Sequence, residues 1–165
     1  MAKDSSFDVV STVDMQEVDN AYQQTTRELS QRYDLKGSGA SVALSKPDRT
    51  ITVSAPAEFV ATQVIDVLNG RLVKRGIDLK AVRWDAAQQA SGGTVRVAGH
   101  VVDGIAPELA KRISKDVRDR KLKVKVAIEE DKLRVTSSSK DALQEVIAFL
   151  RDQDYGQPLQ YVNYR

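Results

Sequence analysis

The chain has 165 residues, 25 Lys and Arg against 23 Asp and Glu, a hydrophobic fraction of 41% and no cysteine. The lack of cysteine excludes disulfides, thiol catalysis, iron–sulfur clusters and cysteine-type zinc sites, and a single histidine, His100, excludes mechanisms that need two. No apolar run approaches the roughly 18 residues of a membrane span, and no secretory signal is visible. We therefore expect a cytoplasmic protein without a membrane partner.

The first half of the chain alternates between strand and helix patterns. Asp14 and Glu17 form a capping-box pattern, which predicts the start of an amphipathic helix. The elements predicted in chain order are a strand over 7–13, a helix over 15–33, a hairpin with alternating apolar residues over 42–53, a helix from Pro56 to about Arg75 and a strand over 79–84. Residues 86–93 are small and flexible, which is typical of a linker.

The second half repeats this plan. It predicts a strand over 94–102, a helix over 107–120, a hairpin turning at 129–131, a helix ending near Gly156 and a strand over 159–165. A constant shift of 82 residues aligns hairpin and helix without a gap: Val42 falls on Val124, Ile51 on Leu133, and Leu68 on Leu150. The alignment indicates an internal duplication.

Each half thus reads β-α-β-β-α-β, the order of a ferredoxin-like sandwich with two helices on one face of a four-stranded sheet. The sequence therefore predicts an α+β protein with two ferredoxin-like domains, over residues 1–88 and 89–165. A half of this size is marginally stable alone, which favours contact between the halves.

Positive charge concentrates in residues 111–125, which hold eight basic residues against two aspartates. One interpretation is a solvated helix face that runs into a strand edge protected by lysines. The other is electrostatic capture of phosphate. For the second interpretation the candidate nucleic-acid contacts are Lys111, Lys115, Arg118, Lys121 and Lys123.

Three shorter segments combine cations with glycine, which suits a phosphate or a base: residues 32–38, 72–78 and 91–96. Ordinary alternatives remain open, since the first two also fit basic helix ends and the third a linker. The candidate phosphate contacts are Arg32, Lys36, Lys74, Arg75 and Arg96, and the candidate stacking rings are Tyr33 and Trp84.

The aromatic residues do not form an RNA-recognition motif, because neither central hairpin strand carries a ring. Phe7, Trp84, Tyr161 and Tyr164 lie on predicted strands where a base can stack, although Trp84 and Tyr161 also suit packing. Phe59 and Phe149 are expected in the core. No catalytic, metal or cofactor motif is recognisable, so we expect a non-enzymatic protein without a cofactor.

At these same segments the chain resembles the YajQ family of small bacterial proteins. The matching stretches keep their order over nearly the whole chain: residues 6–11, 16–20, 32–38, 72–80, 90–96, 121–125 and 157–161. The resemblance implies two ferredoxin-like domains whose N-terminal strands, 7–13 and 94–102, are exchanged. It differs at Leu35, where the family usually has Phe, and after Arg96, where Val-Ala-Gly-His carries less charge than usual.

The resemblance also implies a ligand and a partner. The family is described as nucleotide-binding, with cyclic di-GMP as the best-known proposed ligand and with GTP and RNA also suggested. Some members are thought to pass this signal to a transcription factor. We therefore expect a cytoplasmic signalling protein that binds a guanine nucleotide or cyclic dinucleotide. The alternatives are sequence-tolerant RNA binding by residues 111–125 and an adaptor whose ligand is another protein.

Overall fold

The computed structural model describes residues 3–165. Its helices are α1 (Met15–Gln31), α2 (Glu58–Lys74), α3 (Pro107–Asp119) and α4 (Lys140–Arg151). Its strands are β1 (Ser5–Val10), β2 (Ser41–Ser45), β3 (Thr50–Ala55), β4 (Val82–Trp84), β5 (Gln88–Gln89), β6 (Val95–Val101), β7 (Lys125–Glu129), β8 (Lys132–Ser137) and β9 (Gln160–Val162). No helix within the described range is long and apolar enough to cross a bilayer.

The strands form two antiparallel sheets with the same internal order. One sheet runs β7-β8-β1-β9 and the other β2-β3-β6-β4, with β5 paired to β6. β1 lies between β8 and β9, with Phe7 opposite Val135, and β6 lies between β3 and β4, with Val97 opposite Val53. Both sheets have the strand arrangement of a ferredoxin-like β-α-β-β-α-β fold, so the predicted α+β class is confirmed.

The chain divides into two compact units. The central unit comprises Val13–Val102, and the terminal unit comprises residues 3–12 together with Asp103–Arg165. Each unit has its own hydrophobic cluster: Ile51, Val53, Val64 and Leu68 lie in the central cluster, and Phe7, Leu133 and Leu150 lie in the terminal one.

The first helix shows how the apolar spacing produces this packing. Val18, Ala21, Thr25 and Leu29 are buried, because residues three and four apart share one face of a helix. Asp14 caps the helix by accepting a hydrogen bond from the backbone N–H of Gln16, rather than from residue 17 as a capping box requires.

The helix ends two residues earlier than predicted. Arg32 is already extended, with ψ 127°, and donates its backbone N–H to the Glu28 carbonyl. The next side chain, Tyr33, is 98% exposed instead of continuing the apolar stripe. The prediction failed because periodicity alone cannot locate the residue at which a helix ends.

Two aromatic predictions are wrong. Phe59, expected in the core, is 71% exposed, since α2 directs Val60, Ala61 and Val64 inward and position 59 lies on the opposite side. Phe7, proposed to lie on a strand where a base can stack, is fully buried because β1 is a central strand. The supposed linker over 86–93 contains β5 and a short 3₁₀ turn, Ser91–Gly93.

Candidate functional site

Three segments of the central unit meet at one end of its sheet. Ser41 at the start of β2 pairs with Ser54 near the end of β3, and Ala55 pairs with Val95 at the start of β6. Because antiparallel neighbours run in opposite directions, the loop into β2, the turn into α2 and the segment before β6 emerge side by side. We call this region, residues 32–40, 55–59 and 88–96, the loop end.

The loop end carries three of the five cations proposed to bind phosphate. Arg32 donates through Nε to Asp34 Oδ1 at 2.8 Å, which uses one of the five N–H donors of its guanidinium. Lys36 lies exposed in the following turn. Arg96 alternates with buried Val95 and Val97, so its side chain lies on the sheet face opposite the core.

Two exposed aromatic rings lie at the same end. Tyr33 is 98% exposed and follows Arg32 directly, and Phe59, 71% exposed, lies in the first turn of α2. An aromatic side chain is usually largely buried, because its ring contributes most to stability when it is packed. An exposed ring next to a cation, as in Arg32-Tyr33, is the combination that stacks a base and holds its phosphate.

The backbone at the loop end adds open hydrogen-bond donors. Ala57 precedes α2 and has no side chain to cap it, so the N–H groups of the first turn are not satisfied by a capping side chain. Such a helix end attracts anions, although Glu58 in the same turn opposes them. Gly92 and Gly93 have φ of 74° and 77°, and no atom lies within 4 Å of where a Cβ would sit. The backbone is therefore accessible there.

The other two proposed phosphate contacts lie elsewhere. Lys74 ends α2 and Arg75 caps it, and the Arg75 guanidinium reaches Glu17 at 3.9 Å, in the first turn of α1. Arg32 caps the opposite end of that helix. At 1.5 Å per residue the two positions are about 22 Å apart along the axis. Arg75 thus pairs with the first turn of α1, whereas Arg32 lies after its last turn.

Trp84 is placed for packing. It lies opposite Gly99 on β6, and its ring covers that glycine, with Cε3 and Cζ3 2.7 Å from where a Cβ would sit. The indole also packs against the central hydrophobic cluster. One ring face is thus already occupied by protein.

The basic segment over residues 111–125, in the terminal unit, is exposed, as binding to nucleic-acid phosphates requires. Lys111, Lys115 and Arg118 are spaced along one side of α3, away from buried Ile113 and Val117. Lys121 and Lys123 follow and are exposed too. Two further arginines of this segment lie over rings, Arg112 over Tyr155 at 4.9 Å and Arg120 over Phe149 at 5.1 Å.

A buried charge cluster in the terminal unit was not anticipated from the sequence. Asp8, 1% exposed, accepts hydrogen bonds from Arg134 Nε at 3.0 Å, Asn163 Nδ2 at 2.8 Å and Lys132 Nζ at 3.3 Å. The hydrogen bond from Arg134, more than the other donors, lowers the pKa of Asp8 to about 2, although burial opposes the shift. The feature of the sequence that could have indicated this cluster is the carboxylate of Asp8 within the otherwise apolar run Phe7–Val10.

Two further polar contacts, those of His100 and Tyr155, each join side chains within one unit. His100 Nε2 lies 2.7 Å from Asp85 Oδ2, at the edge of the central sheet. Tyr155 donates its hydroxyl to Asp116 at 2.8 Å, and burial, followed by this hydrogen bond, raises its pKa. Among residues 3–165, no three His, Asp or Glu side chains cluster to hold a metal ion.

Comparison with known proteins assigns the chain to a family. A family model described as "Nucleotide-binding protein YajQ-like" matches residues 5–165. A "Nucleotide-binding protein" of Desulfitobacterium hafniense is 48% identical over the full length of both chains. One from Nocardia farcinica is 49% identical, covering 98% of this chain and 99% of its own, and one from Geotalea uraniireducens is 45% identical over 97% and 98%. The protein therefore belongs to the YajQ family.

The family match confirms the resemblance drawn from the sequence motifs. The names of these relatives describe nucleotide binding.

Proposed function

We propose that this protein is a non-enzymatic, cytoplasmic nucleotide-binding protein that takes a guanine nucleotide, with cyclic di-GMP as the first candidate. The observation that carries the proposal is the exposed Tyr33 ring, with Arg32 and Lys36 beside it, at the sheet end where Arg96 also lies. The names of the relatives support a nucleotide as the ligand class.

The loop end supplies the interactions that such a ligand needs. Arg32, Lys36 and Arg96 attract phosphate, and each charge-assisted hydrogen bond contributes about 1.5–3 kcal/mol. Tyr33 stacks a base, for about 1–3 kcal/mol. Phe59 offers a second exposed ring. Tyr33 with Arg32 and Lys36 can hold one base and its phosphate, and Arg96, on the open face of the sheet, offers a further cation at the same end.

The remaining proposed residues take secondary roles. Lys74 and Arg75, at the C-terminal end of α2, form a separate basic region. Trp84 packs over Gly99 of β6 and so has a structural role in the central sheet. No cofactor takes part in this mechanism. The signal passes to a protein partner, for which a transcription factor is the first candidate.

Replacing Arg96 with Ala is expected to weaken cyclic di-GMP binding about 10- to 150-fold, the loss of one charge-assisted hydrogen bond. Isothermal titration of both proteins measures the effect. The matched control is Arg83→Ala, since Arg83 is an exposed arginine on the edge strand of the same sheet, outside the loop end. An equal loss in both variants would show nonspecific attraction and exclude Arg96 from the site.

A second candidate function is sequence-tolerant RNA binding. The exposure of Lys111, Lys115, Arg118, Lys121 and Lys123 supports it. Five phosphates neutralised on a single strand predict a slope of log K against log salt of about −3.5. A cyclic dinucleotide with two phosphates has a shallower slope.

The double variant Lys115→Gln, Arg118→Gln separates the two candidates. RNA binding is expected to weaken and its salt slope to become shallower by about 1.4, as two contacts are removed. Filter binding of a short single-stranded RNA at several salt concentrations measures both quantities. An unchanged slope would remove α3 from the RNA surface.

A further inference from the structure

The terminal unit contains a cavity of about 280 Å³. Of the candidate binding residues discussed above, only Tyr164 lines it. Its walls come from the start of β1, the first turns of α4 and the residues after β9: Ser5, Ser6, Lys140, Leu143, Gln144, Tyr164 and Arg165. Small-molecule sites span about 300–1,000 Å³, so this cavity has room for a ligand near the lower limit.

One wall of the cavity is a preorganised aromatic platform. The Tyr164 ring lies 6.1 Å from the ring of Phe7, centroid to centroid, with an interplanar angle of 31°. Phe7 is fully buried and fixed in the sheet, yet Tyr164 remains 58% exposed. One side of the ring is thus supported by protein while much of it remains free, which lowers the entropy lost when a planar group stacks on it.

The backbone also fixes Tyr164. Arg165 donates its N–H to the Ser6 carbonyl at 3.0 Å, which ties the residues after β9 to β1. Asn163 turns the chain with φ of 57° and donates through its side chain to buried Asp8 at 2.8 Å. The Asp8 cluster therefore holds the residue immediately before the platform.

The opposite wall supplies apolar, polar and charged groups. Lys140, Leu143 and Gln144 are spaced three and four residues apart, so they share one side of α4. Leu143 provides an apolar surface, and the Gln144 amide both donates and accepts hydrogen bonds, as the edge of a base requires. Lys140 adds an ammonium group that can pair with phosphate.

We propose that this cavity is a second ligand site, which binds one nucleoside monophosphate with its base on Tyr164 and its phosphate on Lys140. The volume suits a single nucleotide rather than a cyclic dinucleotide. The site lies wholly within the terminal unit, so it does not depend on which ligand the loop end of the central unit takes.

The test uses the full-length protein and GMP and AMP as probes, followed by amide NMR. Binding is expected to shift the signals of residues 140–144.

Tyr164→Leu, which keeps an apolar side chain against Phe7, is expected to weaken binding at this site about 5- to 150-fold, the loss of one base stack, whereas Tyr164→Phe retains the stack. Lys140→Gln, at an exposed position, weakens binding without disturbing the core.

Tyr33→Leu is the matched control, because it removes the exposed ring of the central unit and leaves this cavity intact. It is expected to weaken cyclic di-GMP binding and leave the shifts at 140–144 unchanged, so the two proposals fail separately. The cavity proposal is overturned if neither mononucleotide shifts residues 140–144, or if Tyr164→Leu and Lys140→Gln both bind as the unmodified protein does. Shifts produced by a short RNA alone would also overturn it.

Discussion

Replacing Asp8 with Asn is expected to lower the free energy of unfolding of the terminal unit by about 2.5 kcal/mol at pH 7, the equivalent of a pKa lowered from 3.8 to about 2. The carboxylate is buried and accepts hydrogen bonds from Arg134, Asn163 and Lys132. Asn keeps the shape but removes the charge, so Lys132 and Arg134 lose this carboxylate, although Arg134 retains its ion pair with Glu129 at 3.6 Å. Urea denaturation followed by circular dichroism measures the difference.

The effect of Asp8→Asn is expected to depend on pH. The pKa of Asp8 is lower in the folded state, so its contribution is complete at pH values well above 4 and is lost as the pH falls through 2. The difference between the two proteins should shrink to roughly half at pH 3. Asp66→Asn, at an exposed position on α2, is the control and should change little. A difference that stays constant from pH 7 to pH 3 would contradict the assigned pKa.

Replacing Gly99 with Ala is expected to destabilise the central unit by about 1–3 kcal/mol, the range for overpacking a filled site. The new Cβ would lie 2.7 Å from Cε3 and Cζ3 of Trp84, so the indole must move away from the sheet. Trp84 is the sole tryptophan of the chain, so its fluorescence reports the displacement directly. We expect a red-shifted emission as the ring becomes more exposed.

Gly70→Ala is the matched control for this substitution. Gly70 lies within α2, with no atom within 4 Å of the position of a new Cβ. The same change should therefore stabilise the protein by about 0.5–1 kcal/mol, because alanine favours a helix interior. An emission spectrum that stays unchanged in Gly99→Ala would show that Trp84 does not cover Gly99 in solution.

The sequence predicted most of the fold because apolar spacing is a local property. The stripe over Val18 and Leu29 required a helix, and the alternation of Ile51 and Val53 required a strand. The residue at which a helix ends, and the direction in which each side chain points, were harder to predict. Tyr33 falls beyond the end of α1, and Phe59 belongs to a helix with apolar residues on several sides, so residue type did not reveal its orientation.

The site residues stay a prediction, and only their placement in the fold can be compared with the sequence. The sequence picked out Arg32, Lys36 and Arg96 as cations beside glycines, but that their segments lie at one end of the sheet depends on the pairing of β2, β3 and β6. The pairing of β3 with β6 joins residues 40 to 50 positions apart, which local patterns do not specify. The Asp8 cluster was missed for the same reason, because Asn163 lies 155 residues away.

The loop end of the central unit is proposed to bind a guanine nucleotide. The most direct test is isothermal titration of cyclic di-GMP at two salt concentrations, with GTP and a short single-stranded RNA titrated in parallel. We expect saturable binding of the cyclic dinucleotide with a shallow dependence on salt, weakened by Arg96→Ala. No binding of cyclic di-GMP or GTP, together with RNA binding that collapses at high salt, would contradict the claim and assign the function to the basic segment over residues 111–125.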